Sequence, residues 1–488
     1  MKIKNRYITK SVAGVLVALA LSVTGCKKFL DVNDNPNLPE EVDVPLILPS
    51  AQAAIAHVVG NQFQIYGSIW GQYWTQSPFS SQYKVIDQYQ PSSSSFDRPW
   101  GILYNDALED LQIVISYKDQ EKYKQYAAIA YLMKAYNFQL ITDAFGDAPL
   151  KEAALGDENL NPRYDSQQEI YDSIFSFIDQ GLALIDPSSA FAPGDEDLVA
   201  FGDDDDTNKM EEWAAFGNTL KLRAYLRLSE VDEAKAMAGI AALAGKPFLT
   251  QDAKIKYTAT GGNQNPLHAE MVGLGRTQNL VASATTVDAM KALDDPRLPV
   301  FYNLAADTNI VLPIPQGSFN TTPDFEPSIP SYVVGAHARN SNSALAPVKL
   351  ISAAESYFLQ AEAAARGWLP GNAQELYEQG ITASFTSYDI DPGTYITDVV
   401  AQWPAGTEAQ IEAIITQKYF AMCGNQGFEA WTEWRRTGFP SFFVRSEASV
   451  LGAGLFPVRM LYPNTELTRN SNFPGVKTIT ERVWWDVK

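Results

Sequence analysis

The chain has 488 residues, 46% of them hydrophobic and 19% charged, with a formal net charge of −20. That is a globular composition with ample length for a large core. Residues 1–25 carry Lys2, Lys4, Arg6 and Lys10 and no acid, so the remainder carries about −24. A surface of that sign repels nucleic acid and anionic lipid headgroups, and it suits neutral or cationic ligands. Residues 1–10 are basic and residues 11–25, SVAGVLVALALSVTG, form a short apolar run that ends in small residues before Cys26. This is the pattern of a secretory signal peptide, too short for a comfortable membrane span. Gly25-Cys26 fits the end of a bacterial lipobox, in which the thiol takes a diacylglyceryl group and the peptide is cut before Cys26. Several acyl chains then give stable anchoring, each buried methylene adding about 0.8 kcal/mol. The other cysteine, Cys423, is left without an intrachain partner, so no disulfide framework is expected and a small buried hydrophobe is the plainer reading.

Residues 26–44 are polar and turn-rich, with Asn33-Asp34-Asn35-Pro36-Asn37 at their centre, and read as a tether. From Pro45 to Tyr73, Leu48, Ala51, Ile55, Val58, Phe63, Tyr66 and Trp70 recur at helical spacing. Helix pairs are predicted at 101–118 with 121–143, 166–184 with 208–229, 348–366 with 372–386, and 407–423 with 427–437. Ala127, Ala128, Ala130 and Ala135 would allow close helix approach. The segments 246–282 and 296–347 are rich in Gly, Pro, Asn, Thr and Ser, and such long irregular insertions in a helical scaffold are usually functional. In the final pair, Ile411, Ile414, Ile415, Tyr419 and Met422 form one apolar stripe. Gly424 and Gly427 predict a turn, Phe428, Trp431 and Trp434 resume the period, and Gly438-Phe439-Pro440 ends it.

These last residues carry a resemblance. Lys418-Tyr419, Gly427-Phe428-Glu429-Ala430-Trp431 and Arg435-Arg436-Thr437-Gly438-Phe439-Pro440 resemble the C-terminal signature of the SusD/RagB family of nutrient-binding outer-membrane lipoproteins. Phe456-Pro457-Val458-Arg459 and Tyr462-Pro463 are similar to its closing segment, and Asp143-Ala144-Phe145-Gly146-Asp147-Ala148-Pro149 to one of its turns. Trp213 through Arg223, and Asp295-Pro296-Arg297-Leu298, also look like segments of that family. The resemblance implies a mainly α fold: tetratricopeptide-like helix pairs in a right-handed superhelical scaffold, with a loop-rich second lobe. It divides the chain into a signal peptide at 1–25, a lipidated tether at 26–44 and one domain at 45–488. Within that domain the scaffold would occupy about 45–245 and 348–440, the irregular lobe about 246–347, and a tail 441–488. It further implies a cell-surface protein held in outer-membrane lipid by its acyl anchor. Such a protein captures oligosaccharide, or alternatively oligopeptide, and passes it to a SusC-type TonB-dependent transporter. No catalysis is expected; a surface glycosidase is the competing class.

Two stretches are candidates for the ligand. Residues 70–100 hold Trp70, Tyr73, Trp74, Phe79, Tyr83, Tyr89, Phe96 and Trp100, interleaved with Gln72, Gln76, Gln82, Gln88 and Gln90. Aromatic faces beside amides suit neutral sugars, which stack a C–H face and hydrogen-bond their hydroxyls. The same rings could instead fill the core; Tyr73, Trp74, Gln76, Phe79 and Tyr83 are the residues proposed for binding. Residues 261–279 supply Asn263, Arg276 and Gln278 as donors and acceptors, although a loop pinned by its own hydrogen bonds reads equally well. No cofactor is expected. Asp203 to Asp206, with Asp195, Glu196 and Asp197, could hold a structural calcium but lack the spaced EF-hand pattern, and a solvated charge run is the simpler reading. His57, His268 and His337 are isolated, which gives no transition-metal motif.

Overall fold

A computed structural model describes residues 43–488 except 204–207, 274–277 and 306–307. The signal peptide, the tether with Cys26, Asp204 to Asp206 and Arg276 therefore lie outside the described residues. From Val44 onward the chain forms one compact unit. It is mainly helical. The first predicted helix is two, α1 (Val44–Gly60) and α2 (Gln62–Trp70), broken at Asn61. Then come α3 (Glu109–Ser116), α4 (Lys124–Phe145), α5 (Gln167–Leu184), α6 (Lys209–Arg227) and α7 (Glu233–Ala241). After the irregular lobe, which holds α8 (Ala284–Lys291), follow α9 (Ala353–Ala365), α10 (Ala373–Thr386), α11 (Thr407–Ala421) and α12 (Gly427–Thr437). The helix expected from residue 101 opens with a π-helical turn over Ile102–Leu108 before α3 regularises.

The pairing matches the sequence reading in part. α9 lies on α10 as predicted, whereas α4 lies most extensively on α5. α12 turns away from α11 and lies on α2, close to the other end of the chain. The glycines explain this crossing. A Cβ on Gly67 of α2 would stand 2.2 Å from the Phe428 backbone nitrogen, and one on Gly427 would stand 2.3 Å from Ser68 Oγ. Only bare backbone fits there. Gln64 Oε1 accepts from the Gly427 amide at 2.9 Å and locks the register.

The stretch 348–366 divides. Val348–Ile351, rich in β-branched residues, is strand β5, and Ser352 caps α9 by accepting from the Glu355 amide at 3.1 Å. It belongs to a three-stranded antiparallel sheet with β2 (Val199–Phe201) and β3 (Ala253–Ile255), in the order β2-β3-β5. A two-stranded sheet joins β1 (Trp74–Gln76) to β4 (Leu280–Ala282), pairing Trp74 with Ala282 and Gln76 with Leu280. That pairing fastens the segment after α2 to the irregular lobe.

Where α4, α6, α9, α11 and α12 meet, the core is charged. Arg227 faces Asp143, Glu429 and Glu433. Arg436 holds Glu362 through two bonds of 2.8 and 2.7 Å and reaches Glu433 at 2.7 Å. Trp485, near the end of the chain, donates to Asp143 at 2.8 Å and lies under the guanidinium groups of Arg227 and Arg435. All of these side chains are buried. The charged side of α12 pairs within the helix, Glu433 with Arg436, and also ties distant helices together.

A candidate ligand-binding cleft

β1 presents no side chain to solvent: Trp74, Thr75 and Gln76 are all buried. Tyr73, just before it, stacks on Tyr419 with ring centroids 4.5 Å apart and donates its hydroxyl to the Tyr419 carbonyl at 2.5 Å. Gln76 spends its whole amide locally. Its oxygen accepts from the Tyr83 amide at 2.6 Å, and its nitrogen donates to Ser77 O and Ser80 Oγ at 3.0 and 2.9 Å. Tyr83 is buried as well. Tyr73, Trp74, Gln76 and Tyr83 are thus placed as packing and turn-fixing groups, closed to a ligand in this conformation. The physical reason is that β4 takes one edge of the strand while side chains from elsewhere in the fold pack round it: Tyr419 on Tyr73, Asp87 on Thr75, and Gln316 on the Trp74 carbonyl. Asn263 sits exposed in a turn of its own, where its backbone carbonyl accepts from the Thr258 amide at 2.8 Å.

Phe79 and Gln278 do meet at one place, an open cleft of about 780 Å³ between the turn after β1 and the irregular lobe. The turn at residues 77–80 is held by Ser77 N donating to the Asn279 carbonyl at 2.8 Å, and it carries Phe79 outward with 59% of its surface exposed. Opposite, the stretch Pro323-Asp324-Phe325-Glu326-Pro327 presents Phe325, 36% exposed. Val281 and Ile329 line the cleft between them and pack with Ile314 as a small separate apolar cluster. Backbone bonds fix this framework: Ala282 N donates to Ser328 O and Ser328 N to Leu312 O, both at 2.8 Å. Gln278 acts as a brace, donating to the Leu280 and Ala336 carbonyls and accepting from the Ala338 amide at 2.9 Å. Arg339 reaches Glu326 at 3.2 Å across the rim, and both are largely exposed.

Phe325, Asp324, Glu326 and Arg339 escaped the sequence reading, which treated 296–347 as undifferentiated loop. A signal was present. A phenyl ring flanked by acids and prolines belongs to no helical or strand period, so it has no core to enter.

The acidic stretch is put to structural use where it is described. Asp197 is buried and accepts from Gln52 and Trp213 at 2.7 and 2.8 Å, and Asp203 pairs with Lys254 at 2.8 Å. Among the described residues no group of His, Cys, Asp or Glu is arranged to hold a metal ion. Cys423 is fully buried, which pushes its thiol up to about 12, and it behaves as a small hydrophobe.

The fold is thus a set of helix pairs with an irregular segment at about 246–347, and an open cleft walled by Phe79 and Phe325. The chain belongs to the SusD-like family described as "starch-binding associating with outer membrane", whose family model matches residues 36–463. Solved structures share the fold. A chitin-binding SusD homologue from Flavobacterium johnsoniae is 24% identical, with a TM-score of 0.74 over 90% of this chain and 99% of that one. A SusD homologue from Bacteroides uniformis is 24% identical, with a TM-score of 0.75 over 91% and 99%. A SusD/RagB family protein from Bacteroides thetaiotaomicron is 22% identical, with a TM-score of 0.73 over 92% and 99%. No curated protein matches the chain by sequence.

Proposed function

We propose that this protein captures oligosaccharide at the outer membrane in the cleft walled by Phe79 and Phe325, and passes it to a SusC-type TonB-dependent transporter without breaking bonds. The observation that carries this is the contrast among the aromatics. The neighbouring rings Tyr73, Trp74, Tyr83, Tyr89 and Phe96 are buried, whereas Phe79 and Phe325 stand open on opposite sides of one cleft. Exposed rings on a braced framework give a sugar flat contact at low entropic cost. The family description, starch-binding and associating with the outer membrane, supports the same ligand class and location. Acylation at Cys26 would hold the protein beside the transporter and raise its effective concentration there.

The test is calorimetry of the full chain against panels of oligosaccharides and oligopeptides. Replacing Phe79→Ala and Phe325→Ala together should weaken glycan binding by about tenfold or more. Thermal unfolding should stay close to wild type, because both rings are exposed. Unchanged glycan affinity in the double variant, or binding of peptides alone, would overturn the reading. Cys26→Ala should move the protein out of the membrane fraction and abolish copurification of a transporter barrel.

A further inference from the structure

The described lining of the cleft is uneven in charge. Glu326 is matched by Arg339 at 3.2 Å. Asp324 is also exposed in the cleft, and no described group pairs with it. The amide of Gln278 is committed to backbone, and Ser77 Oγ accepts from the Phe79 amide at 3.2 Å. Among the described residues, what remains for a ligand is two phenyl faces, the Thr322 hydroxyl, the uncommitted N–H groups of Arg339 and one unpaired carboxylate, so the one charge without a partner is negative. An ammonium group satisfies both elements at once: it pairs with the carboxylate and is attracted to the face of an aromatic ring. A uronate or sulfate group would meet two carboxylates, Asp324 and Glu326, against the single cation of the described lining, Arg339, which is already paired with Glu326, on a protein of net charge −20.

Resting on the glycan-binding reading above, we propose that the cleft is a charge filter. It prefers sugars carrying protonated amines, such as deacetylated hexosamine units, over the N-acetylated form of the same backbone, and it rejects uronate-containing or sulfated glycans.

The experiment titrates the full chain in detergent with three tetrasaccharides: glucosamine, N-acetylglucosamine and galacturonic acid. The expected order of affinity is amine, then acetylated, then uronate. The amine should gain about fivefold over the acetylated form, the upper range for an exposed ion pair. That gain should vanish near 1 M salt, where the screening length falls to about 3 Å. It should vanish as well in Asp324→Asn, a change at an exposed side chain that leaves the packing alone. Equal affinity for amine and acetylated forms, or uronate binding as tight as either, would overturn the proposal. If glycans bind through Phe79 and Phe325 but without regard to charge, the filter fails and the wider function stands. If no glycan binds at all, both fall.

Discussion

Glu433 shows how a single buried side chain is kept ionised. Burial pushes its carboxyl up, but Arg436 at 2.7 Å, Lys418 at 3.1 Å and Arg227 outweigh that and hold it well below the usual carboxylate range. Glu362 follows the same logic: burial raises it, and Arg436 and Arg366 bring it below its ordinary value. Asp143 goes the other way, since there burial outweighs Arg227. A carboxylate whose folded value is depressed contributes stability that is complete above its unfolded value, near 4.5 for Glu, and lost as pH falls through the folded value. Urea midpoints should therefore fall as pH drops below about 4.5. In Glu433→Gln the protein should be less stable at pH 7 and the acid limb shallower. A pH dependence identical to wild type would show that this cluster does not set the acid limit. Removing the central cation is harsher. Arg436→Ala leaves Glu362 buried without its bidentate partner and should cost about 3–5 kcal/mol, measured by urea unfolding at neutral pH.

At the scale of elements, the crossing of α2 over α12 is decisive. Gly67→Ala would drive a methyl group into the backbone of residues 427 and 428, and neither backbone can yield as a flexible side chain would. The expected loss is about 3 kcal/mol, against a smaller effect for Gly101→Ala, where a Cβ meets nothing closer than 3.9 Å. Thermal unfolding of the two variants side by side checks this. Much of the helical layout was legible in sequence, because α5, α6, α10, α11 and α12 carry apolar residues at helical spacing, and α5, α6 and α10 begin at side-chain caps, Ser166, Asn208 and Asn372. Gly438, in the left-handed conformation after α12, is the predicted stop of that helix. The crossing was not legible, because nothing in Gly67 names a partner 360 residues away. The candidate site was legible only in part for the same reason. Tyr73 and Trp74 carry the composition of a sugar platform, but Tyr73 stacks on Tyr419 and Trp74 is buried where it pairs with Ala282, and both partners are distant in sequence. Phe79 escapes because it lies in the turn just beyond that pairing.

For the molecule as a whole, the proposed binding cleft and the buried charge cluster lie in different parts. The cleft belongs to the turn after β1 and the irregular lobe, while the charged core joins α4, α6, α9, α11 and α12. Substitutions at Phe79, Asp324 or Phe325 should thus alter affinity without moving the unfolding transition, and substitutions at Arg436 or Gly67 should do the reverse. Trp485 adds a constraint on how the whole forms. Its indole fills the space beside Asp143, Arg227 and Arg435, and α12 closes onto α2 at the opposite end of the sequence. The buried charge cluster around Asp143 is therefore complete only once Trp485 has been added to a growing polypeptide.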